Sequence, residues 1–168
     1  MTKATELKFI QQQGLGQVDD ETYRVRFFAL MFQPKVVGVL VVLGLIFQSW
    51  PLFVALAAVQ WWNALMPSWN PFDALYNRLI AVPRSLPYLT AAPAPRRFAQ
   101  GMSGTFLLAI GVFLLAGWHT AAYVVEAMLV MALSALIFGK FCLGSYLYHL
   151  LRGHAAFANR TLPWAHSG

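Results

Sequence analysis

Long apolar blocks separated by short polar connections run along this chain, and the pattern predicts membrane-spanning helices. A bilayer core about 30 Å thick requires roughly 20 mostly apolar helical residues to span it. Four blocks have this character, although the first two are short: residues 35–50, 52–66, 98–118 and 120–151. We therefore predict an all-α membrane protein whose four transmembrane helices form two antiparallel hairpins.

The segment before the first block has two interpretations. Apolar residues recur at helical spacing from Tyr23 to Met31, and Pro34 then interrupts the pattern. Residues 21–33 therefore form either a short interfacial helix or the lower half of a kinked first span. The predicted division of the chain is a cytoplasmic or interfacial N-terminal segment, a transmembrane domain and a cytoplasmic tail, at residues 1–33, 34–151 and 152–168.

The connection at residues 67–97 predicts an amphipathic helix. Asn70 is a suitable N-cap, Pro71 suits the first helical position, and Asp73 lies in the first turn. Apolar residues then recur at helical spacing, at Phe72, Leu75, Tyr76, Leu79 and Ile80. A helix over residues 71–81 with this apolar face is expected to lie in the membrane interface.

Composition supports the membrane interpretation, and the charges indicate an orientation. The chain is 59% hydrophobic and 11% charged, whereas soluble domains are about half apolar and a quarter charged. Every Lys and Arg lies within residues 1–35, 67–97 or 140–168, and the turns at 49–51 and 117–120 have none. Because these residues concentrate on the cytoplasmic side, both termini are expected there. The net charge of +6 then reflects topology, and we expect no nucleic-acid partner.

Three stretches of the chain are distinctive: residues 18–26, residues 70–76 and Phe138-Gly139-Lys140-Phe141-Cys142-Leu143-Gly144-Ser145-Tyr146-Leu147-Tyr148. They resemble one bacterial family of four-span membrane proteins, which is catalogued as a domain of unknown function (number four-three-nine-five). The third stretch is similar to that family's ending of Phe-Gly-x-Cys-x-Gly-Cys followed by an aliphatic-Tyr pair. The resemblance covers roughly residues 18–152. It implies a multi-pass protein of a bacterial cytoplasmic, or internal photosynthetic, membrane.

The family's second cysteine falls on Ser145 in this chain, so Cys142 has no disulfide partner. On one continuous helix Cys142, Ser145 and His149 would share a face, and the nearby Lys140 would favour a reactive thiol. The C-terminus of a helix, however, disfavours a thiolate. We interpret Cys142 as a small packing residue, with a catalytic thiol beside Ser145 as the alternative.

Other ionisable side chains occur near the ends of the predicted fourth span. Glu126 and Lys140 are about 21 Å apart along a helix, so they are not expected to pair. Intramembrane ionisable residues are candidates for function, although both of these can reach the interface by snorkelling. His119 and His149 are candidate ligands of a haem or pigment, but each stands alone near a membrane edge. We predict no metal site and no bound cofactor beyond contacts with lipid or pigment.

Small residues recur every four positions in the last two spans, and such residues let helices approach closely in lipid. The pattern predicts a close antiparallel hairpin of the third and fourth spans, packed through Gly101, Thr105, Ala109, Ala127, Ala135 and Gly139. Near the inner end of the second span, Gln60, Trp62 and Asn63 are expected to form a polar cluster with the loop helix.

No catalytic motif accompanies this architecture, because a glycine-rich phosphate loop, an HExxH sequence and paired carboxylates are all missing. The sequence therefore favours a non-catalytic accessory or structural subunit over an enzyme, with membrane lipids, pigments and other membrane proteins as its partners. The alternative is a membrane thiol-redox protein that acts through Cys142 with a soluble thiol partner. A small transporter ranks third, because the sequence shows no broken helices and no convergent midplane polar residues.

Overall fold

The computed structural model describes residues 3–16, 19 and 22–165, and this part of the chain is all-helical. Val18, the first residue of the family resemblance, lies outside the described residues. The α-helices, in chain order, are α1 (Lys3–Gln12), α2 (Tyr23–Phe47), α3 (Trp50–Leu65), α4 (Pro71–Tyr76), α5 (Ala94–Leu115), α6 (His119–Ile137), α7 (Leu143–Leu151) and α8 (Ala155–Arg160).

Three helices of the described chain, α2, α5 and α6, are long and apolar enough to cross a membrane by length and composition. The prediction of an all-α protein with membrane-spanning helices is confirmed at this level. Helix α3 has 16 residues, which corresponds to about 24 Å and is shorter than a bilayer core of about 30 Å.

Helix α2 runs without interruption through Pro34. Residues 23–33 therefore continue the first apolar block and do not form a separate interfacial helix. Proline lacks an N–H, so the helix gives up one hydrogen bond at this point. The side chain of Pro34 is half-buried, and the rest of the helix continues to Phe47.

Helix α5 packs most closely against α3 through glycines. A Cβ added at Gly111 would lie 2.7 Å from Val54 Cγ2, and one at Gly104 would lie 2.8 Å from Trp61 Cδ1. Gly101 also faces this helix, because its nearest neighbour is Ala64. The glycine face of the third span thus packs on the second span.

The third and fourth spans do not pack through the predicted face of small residues. Thr105 and Ala127 are exposed, and Ala109 and Ala135 are half-buried. Gly139 lies beyond the end of α6, where an added Cβ would meet the carbonyl oxygen of its own helix at Ala135. Helices α5 and α6 instead share one hydrophobic core cluster, to which α5 contributes Leu107, Ile110 and Leu114 and α6 contributes Ala122 and Leu129.

The predicted fourth helix is broken, which corrects the expectation that it continues to about Leu151. Helix α6 ends at Ile137, a non-helical link follows at residues 138–142, and α7 begins at Leu143. The link is stabilised at Lys140, whose backbone is left-handed (φ 55°) and whose Nζ donates to the carbonyl of Ile137 at 2.5 Å. A left-handed residue that follows a helix, with a basic side chain on its last carbonyls, is a common way to end it.

The loop helix begins as predicted, because Asn70 Oδ1 accepts hydrogen bonds from the backbone N–H groups of Phe72 (2.9 Å) and Asp73 (3.4 Å). The chain continues as a short π-helix over Asn77–Ala81. Tyr76 is fully buried against the rings of Phe28 and Phe32 on α2. Among the other predicted apolar positions, Phe72 and Ile80 are half-buried and pack against core residues, whereas Leu75 and Leu79 are exposed.

The N-terminal helix docks on the bundle. Phe9 and Ile10 of α1 are buried, and the ring of Phe9 meets that of Phe27 edge-on at 5.7 Å. Lys8 Nζ donates a hydrogen bond to the carbonyl of Ala165, so the two ends of the described chain lie together. This arrangement brings the end of α1 to the α6–α7 link.

Candidate functional site

Gln33 connects polar side chains of several helices in one buried network. Its Oε1 accepts hydrogen bonds from Arg96 Nη2 and Gln100 Nε2, both at 2.9 Å, and from Asn70 Nδ2 at 3.3 Å. Its Nε2 donates to Gln60 Oε1 at 2.9 Å. All five side chains are buried. Gln33 therefore links α2 to α3, to the start of α4 and to the start of α5.

Arg96 also forms a buried ion pair with Asp73 of the loop helix. The guanidinium donates from Nη1 to Oδ2 at 3.0 Å and from Nη2 to Oδ1 at 2.6 Å, and each residue is 6% exposed. A bidentate pair of this kind satisfies both charges where water is excluded. The network therefore contains a cation and an anion that neutralise each other.

Gln60 extends the network along α3 and across to α5. Asn63 Nδ2 donates to Gln60 Oε1 at 3.2 Å, and Gln60 Nε2 donates to Ser103 Oγ at 3.4 Å. The sequence predicted a cluster of Gln60, Asn63 and Trp62 with the loop helix. Gln60 and Asn63 do join it, whereas Trp62 is exposed and donates to the carbonyl of Trp69.

A cleft of about 530 Å³ lies directly against this network. Its floor is polar and is formed by Gln33, Gln60, Arg96, Gln100 and Ser103. Its walls are apolar and come from α2, α5 and α6, as well as from α1 and α7; they include Leu30, Val37, Phe106, Leu129, Leu133, Leu136 and Leu147. The volume is within the range of roughly 300–1,000 Å³ that small-molecule sites occupy.

The mouth of the cleft opens between α6 and α7. Met128, Met131 and Leu143 line the cleft and are 47%, 65% and 39% exposed, so they mark its outer edge. This edge is apolar, and α6 is one of the candidate spans. A molecule that enters here would pass from an apolar surface to a polar floor.

Gln100 and Ser103 at the floor have hydrogen-bonding capacity that the described residues do not use. Gln100 Oε1 is shielded from solvent and accepts no hydrogen bond. Ser103 Oγ accepts from Gln60, and its own proton meets no acceptor in the described part of the chain. These residues are three apart on α5, so they share one helical face, and both line the cleft.

Cys142 lines the cleft as well, and its surroundings differ from those predicted. Because α6 ends early, Cys142 is the residue immediately before α7, and it therefore lies at a helix N-terminus, not at a C-terminus. Its backbone N–H donates to Gln12 Oε1 at 2.8 Å. Ser145 Oγ donates to the carbonyl of Pro95, and His149 Nε2 lies 3.1 Å from the carbonyl oxygen of Gln12. These three residues hold α7 against α1 and α5.

Lys140 lies beside this helix junction, outside the spans. Its Nζ is 5.4 Å from the centre of the Phe27 ring. Burial, together with the positive charge of Lys35, lowers the pKa of the Lys140 amine below its usual value, while Glu6 opposes this shift. The amine holds the α6–α7 link in place and does not point to a catalytic partner.

The remaining candidates lie away from the cleft. His119 is the first residue of α6, is exposed, and contacts the ring of Tyr123 at 6.3 Å. Glu126 is buried and accepts a hydrogen bond from Gln48 Nε2 at 3.5 Å. Across the described residues, no three His, Cys, Asp or Glu side chains are grouped closely enough to hold a metal ion.

A family described as "Domain of unknown function (DUF4395)" matches residues 24–152. The chain belongs to this family. Searches among curated proteins and among solved structures gave no significant match. The family match includes the entire polar floor and most of the walls, whereas Phe9 and Gln13 of the cleft precede it. The cleft is therefore built mainly from the part of the chain that defines the family.

Sequence reasoning missed the centre of this site. Gln33, Arg96 and Gln100 were not singled out, and convergent polar residues were expected to be missing. The available signal was the presence of long polar side chains at Gln33, Gln60 and Gln100 within otherwise apolar helices, where each needs a partner. Their convergence depends on helices that are far apart in sequence.

Proposed function

We propose that this chain is a non-catalytic, multi-pass membrane protein whose cleft holds a lipid-like molecule. The observation that carries the proposal is the cleft itself: a volume of about 530 Å³ with apolar walls, an apolar mouth and a polar floor. Lipids have this same division between an apolar body and a polar head. The arrangement supports binding, because the polar floor lacks any pairing of a nucleophile with a base.

The topology that we propose has four spans, with α3 as a short second one and both termini cytoplasmic. The exposed apolar side chains of Trp61, Trp62 and Leu65 on α3 support contact with lipid along this helix. The basic residues of the terminal segments and of the 67–97 connection support the orientation. Leu75 and Leu79, both exposed, support an interfacial position for the loop helix.

An accessory role follows from the same features. The outer faces of α2 and α6 expose many large apolar side chains, including Val39, Ile46, Val124 and Met131, and these faces suit contacts with lipids, pigments or other membrane subunits. A protein that holds one lipid at a defined position can present it to such a partner. The proposed function is therefore to bind and position a lipid within the membrane.

Native mass spectrometry of the purified chain tests this proposal. Ala132 is half-buried and lines the cleft on α6, so Ala132→Phe should fill the cleft and remove the bound molecule. Ala127→Phe makes the same change on an exposed position of α6 outside the cleft and should retain it. A wild-type protein that carries no defined lipid, or equal retention by both variants, would contradict the proposal.

A thiol-redox function is the second candidate, because Cys142 lines the cleft and precedes the N-terminus of α7. Reactive cysteines often lie at such positions. The chain has one cysteine, so any disulfide would have to form with a separate thiol. If Cys142 only packs, Cys142→Ala costs about 1 kcal/mol of stability and leaves the phenotype intact; loss of a redox activity in this variant would favour the thiol function.

A further inference from the structure

The loop helix is fixed to the bundle along one side. Asp73 forms the buried pair with Arg96, and Tyr76 is fully buried. Asn77 binds the backbone of Leu89 through both atoms of its amide: Nδ2 donates to the Leu89 carbonyl at 3.0 Å, and Oδ1 accepts from the Leu89 N–H at 2.8 Å. These contacts hold the helix along its length, so its other side is presented in a fixed orientation.

The other side of the loop helix is apolar and exposed. Leu75 and Leu79 lie on it, and Val82 follows in the short turn that continues the helix. Trp69 precedes this stretch and Tyr88 follows it, and both are exposed. Tryptophan and tyrosine are enriched where a membrane meets water, and an exposed apolar face of this kind favours the boundary between headgroups and acyl chains.

Two arginines lie among these apolar side chains. Arg78 and Arg84 are exposed, and neither has an ion-pair partner among the described residues. The 67–97 connection contains a single acidic residue, Asp73, whose carboxylate is already bound by Arg96. This side therefore carries two positive charges that its own connection does not neutralise. We name it the loop surface, and it consists of Leu75, Arg78, Leu79, Val82 and Arg84.

We infer that the loop surface binds anionic phospholipids: its two arginines contact headgroup phosphates, and its three apolar side chains contact the start of the acyl chains. Guanidinium groups match phosphate oxygens in geometry and charge, and the cytoplasmic leaflet is the one that carries a negative surface potential. A free phosphate would satisfy the arginines but would leave the apolar side chains in water, so a lipid fits the surface better. The inference rests on the proposed interfacial position of the loop helix, and it is independent of the lipid in the cleft.

Titration of the full-length protein with lipid in a neutral detergent, followed by native mass spectrometry, tests the inference. The probes are phosphatidylglycerol and phosphatidylcholine with the same acyl chains. A basic residue at an anionic surface contributes about fivefold in affinity, so the two arginines together should favour phosphatidylglycerol by about 20-fold. The preference should weaken as the ionic strength rises. Ala132→Phe, which fills the cleft, should keep the preference.

Variants connect the preference to the two arginines. Arg78→Gln and Arg84→Gln should each reduce it about fivefold, and the double variant should bind the two lipids about equally. Replacing both arginines with lysine retains the charges and should retain most of the preference. Arg160→Gln is the matched control, because it removes the same charge from an exposed position on α8, and it should have no effect. Melting temperatures in lipid-free neutral detergent verify that each variant is folded.

Several results would overturn the inference. They are equal binding of the two lipids by the wild type, a preference that survives loss of both arginines, and a loss in Arg160→Gln as large as in the double variant. Displacement of phosphatidylglycerol by an equal concentration of inorganic phosphate would also overturn it, because the surface would then bind a free anion. A preference that disappears in Ala132→Phe would do the same, because it would belong to the cleft. The proposed function is decided separately, by the lipid that Ala132→Phe and Ala127→Phe retain.

Discussion

Arg96 Nη2 donates to Gln33 Oε1 at 2.9 Å, and this contact orients the amides on the cleft floor. Because the guanidinium cannot accept a hydrogen bond, Gln33 has one orientation, and through it Gln60 and Gln100 each have one as well. Removing Arg96 should therefore disturb the packing of the helices that this network connects.

The ion pair provides the first prediction. Arg96→Gln leaves Asp73 buried without its cation and should destabilise the protein by about 3–5 kcal/mol. Arg78→Gln removes the same charge from an exposed position on the loop helix and should change stability by less than about 0.5 kcal/mol. Thermal unfolding in mild detergent measures both. Similar melting temperatures for the two variants would show that the pair is not buried in the folded protein.

The contact between α3 and α5 gives a matched pair of glycine variants. At Gly111 a Cβ would meet the stiff side chain of Val54 at 2.7 Å and the carbonyl of Trp50 at 3.3 Å, so Gly111→Ala should cost about 1–3 kcal/mol. At Gly101 the nearest atom is Ala64 Cβ at 3.6 Å, an ordinary contact, and alanine is the better helix former. Gly101→Ala should therefore be neutral or stabilising. The reverse order of melting temperatures would contradict this packing.

The buried side chain of Tyr76 should make the folding stability depend on pH. Its hydroxyl is buried and has no hydrogen-bond partner among the described residues, and burial raises the pKa of the phenol above its usual value of about 10. Above pH 10 the unfolded chain loses this proton while the folded chain retains it, so stability decreases as the pH rises. Tyr76→Phe should stabilise the protein by about 1 kcal/mol and reduce the loss of folding stability at alkaline pH.

Unfolding between about pH 8 and about pH 11 measures the effect of Tyr76→Phe. Tyr88→Phe is the control, because Tyr88 is 61% exposed. The stability of this variant should depend on pH as that of the wild type does. A Tyr76→Phe variant with the wild-type alkaline slope would indicate that the phenol is accessible to water.

Reporter fusions test the proposed topology. Fusions at residues 50 and 119 should report the periplasmic side, and fusions at residues 90 and 168 the cytoplasmic side, because the basic residues flank the latter positions. If α3 does not span the membrane, residues 50 and 90 will report the same side. Periplasmic activity at residue 90 or 168 would reverse the orientation.

The sequence predicted the positions of most helices because their signals are local. Apolar blocks, the cap at Asn70 and the proline at Pro71 each act within a few residues. The break after α6 was missed because the apolar pattern continues through Phe138 and Phe141, while the helix ends through the left-handed backbone of Lys140. That ending follows from a single backbone conformation, which periodicity does not reveal.

The candidate site could not be predicted in the same way. Gln33 and Arg96 are 63 positions apart, and Gln33 and Gln100 are 67 apart, so their meeting depends on how four helices pack. Gly101 and Gly139 were predicted at the contact between the third and fourth spans, whereas Gly101 faces α3 and Gly139 lies beyond the end of α6. The spacing did not show that α3 would be the partner of α5, because several helices offered complementary faces.

An experimental map of the protein in native lipid tests the central claim, that the cleft holds a lipid, most directly. We expect elongated density between α5, α6 and α7, with its inner end at the polar floor beside Gln33 and Ser103 and its body against Met128 and Leu133. A cleft that is empty, filled by water alone, or occupied by a side chain or helix of another protein would contradict the claim.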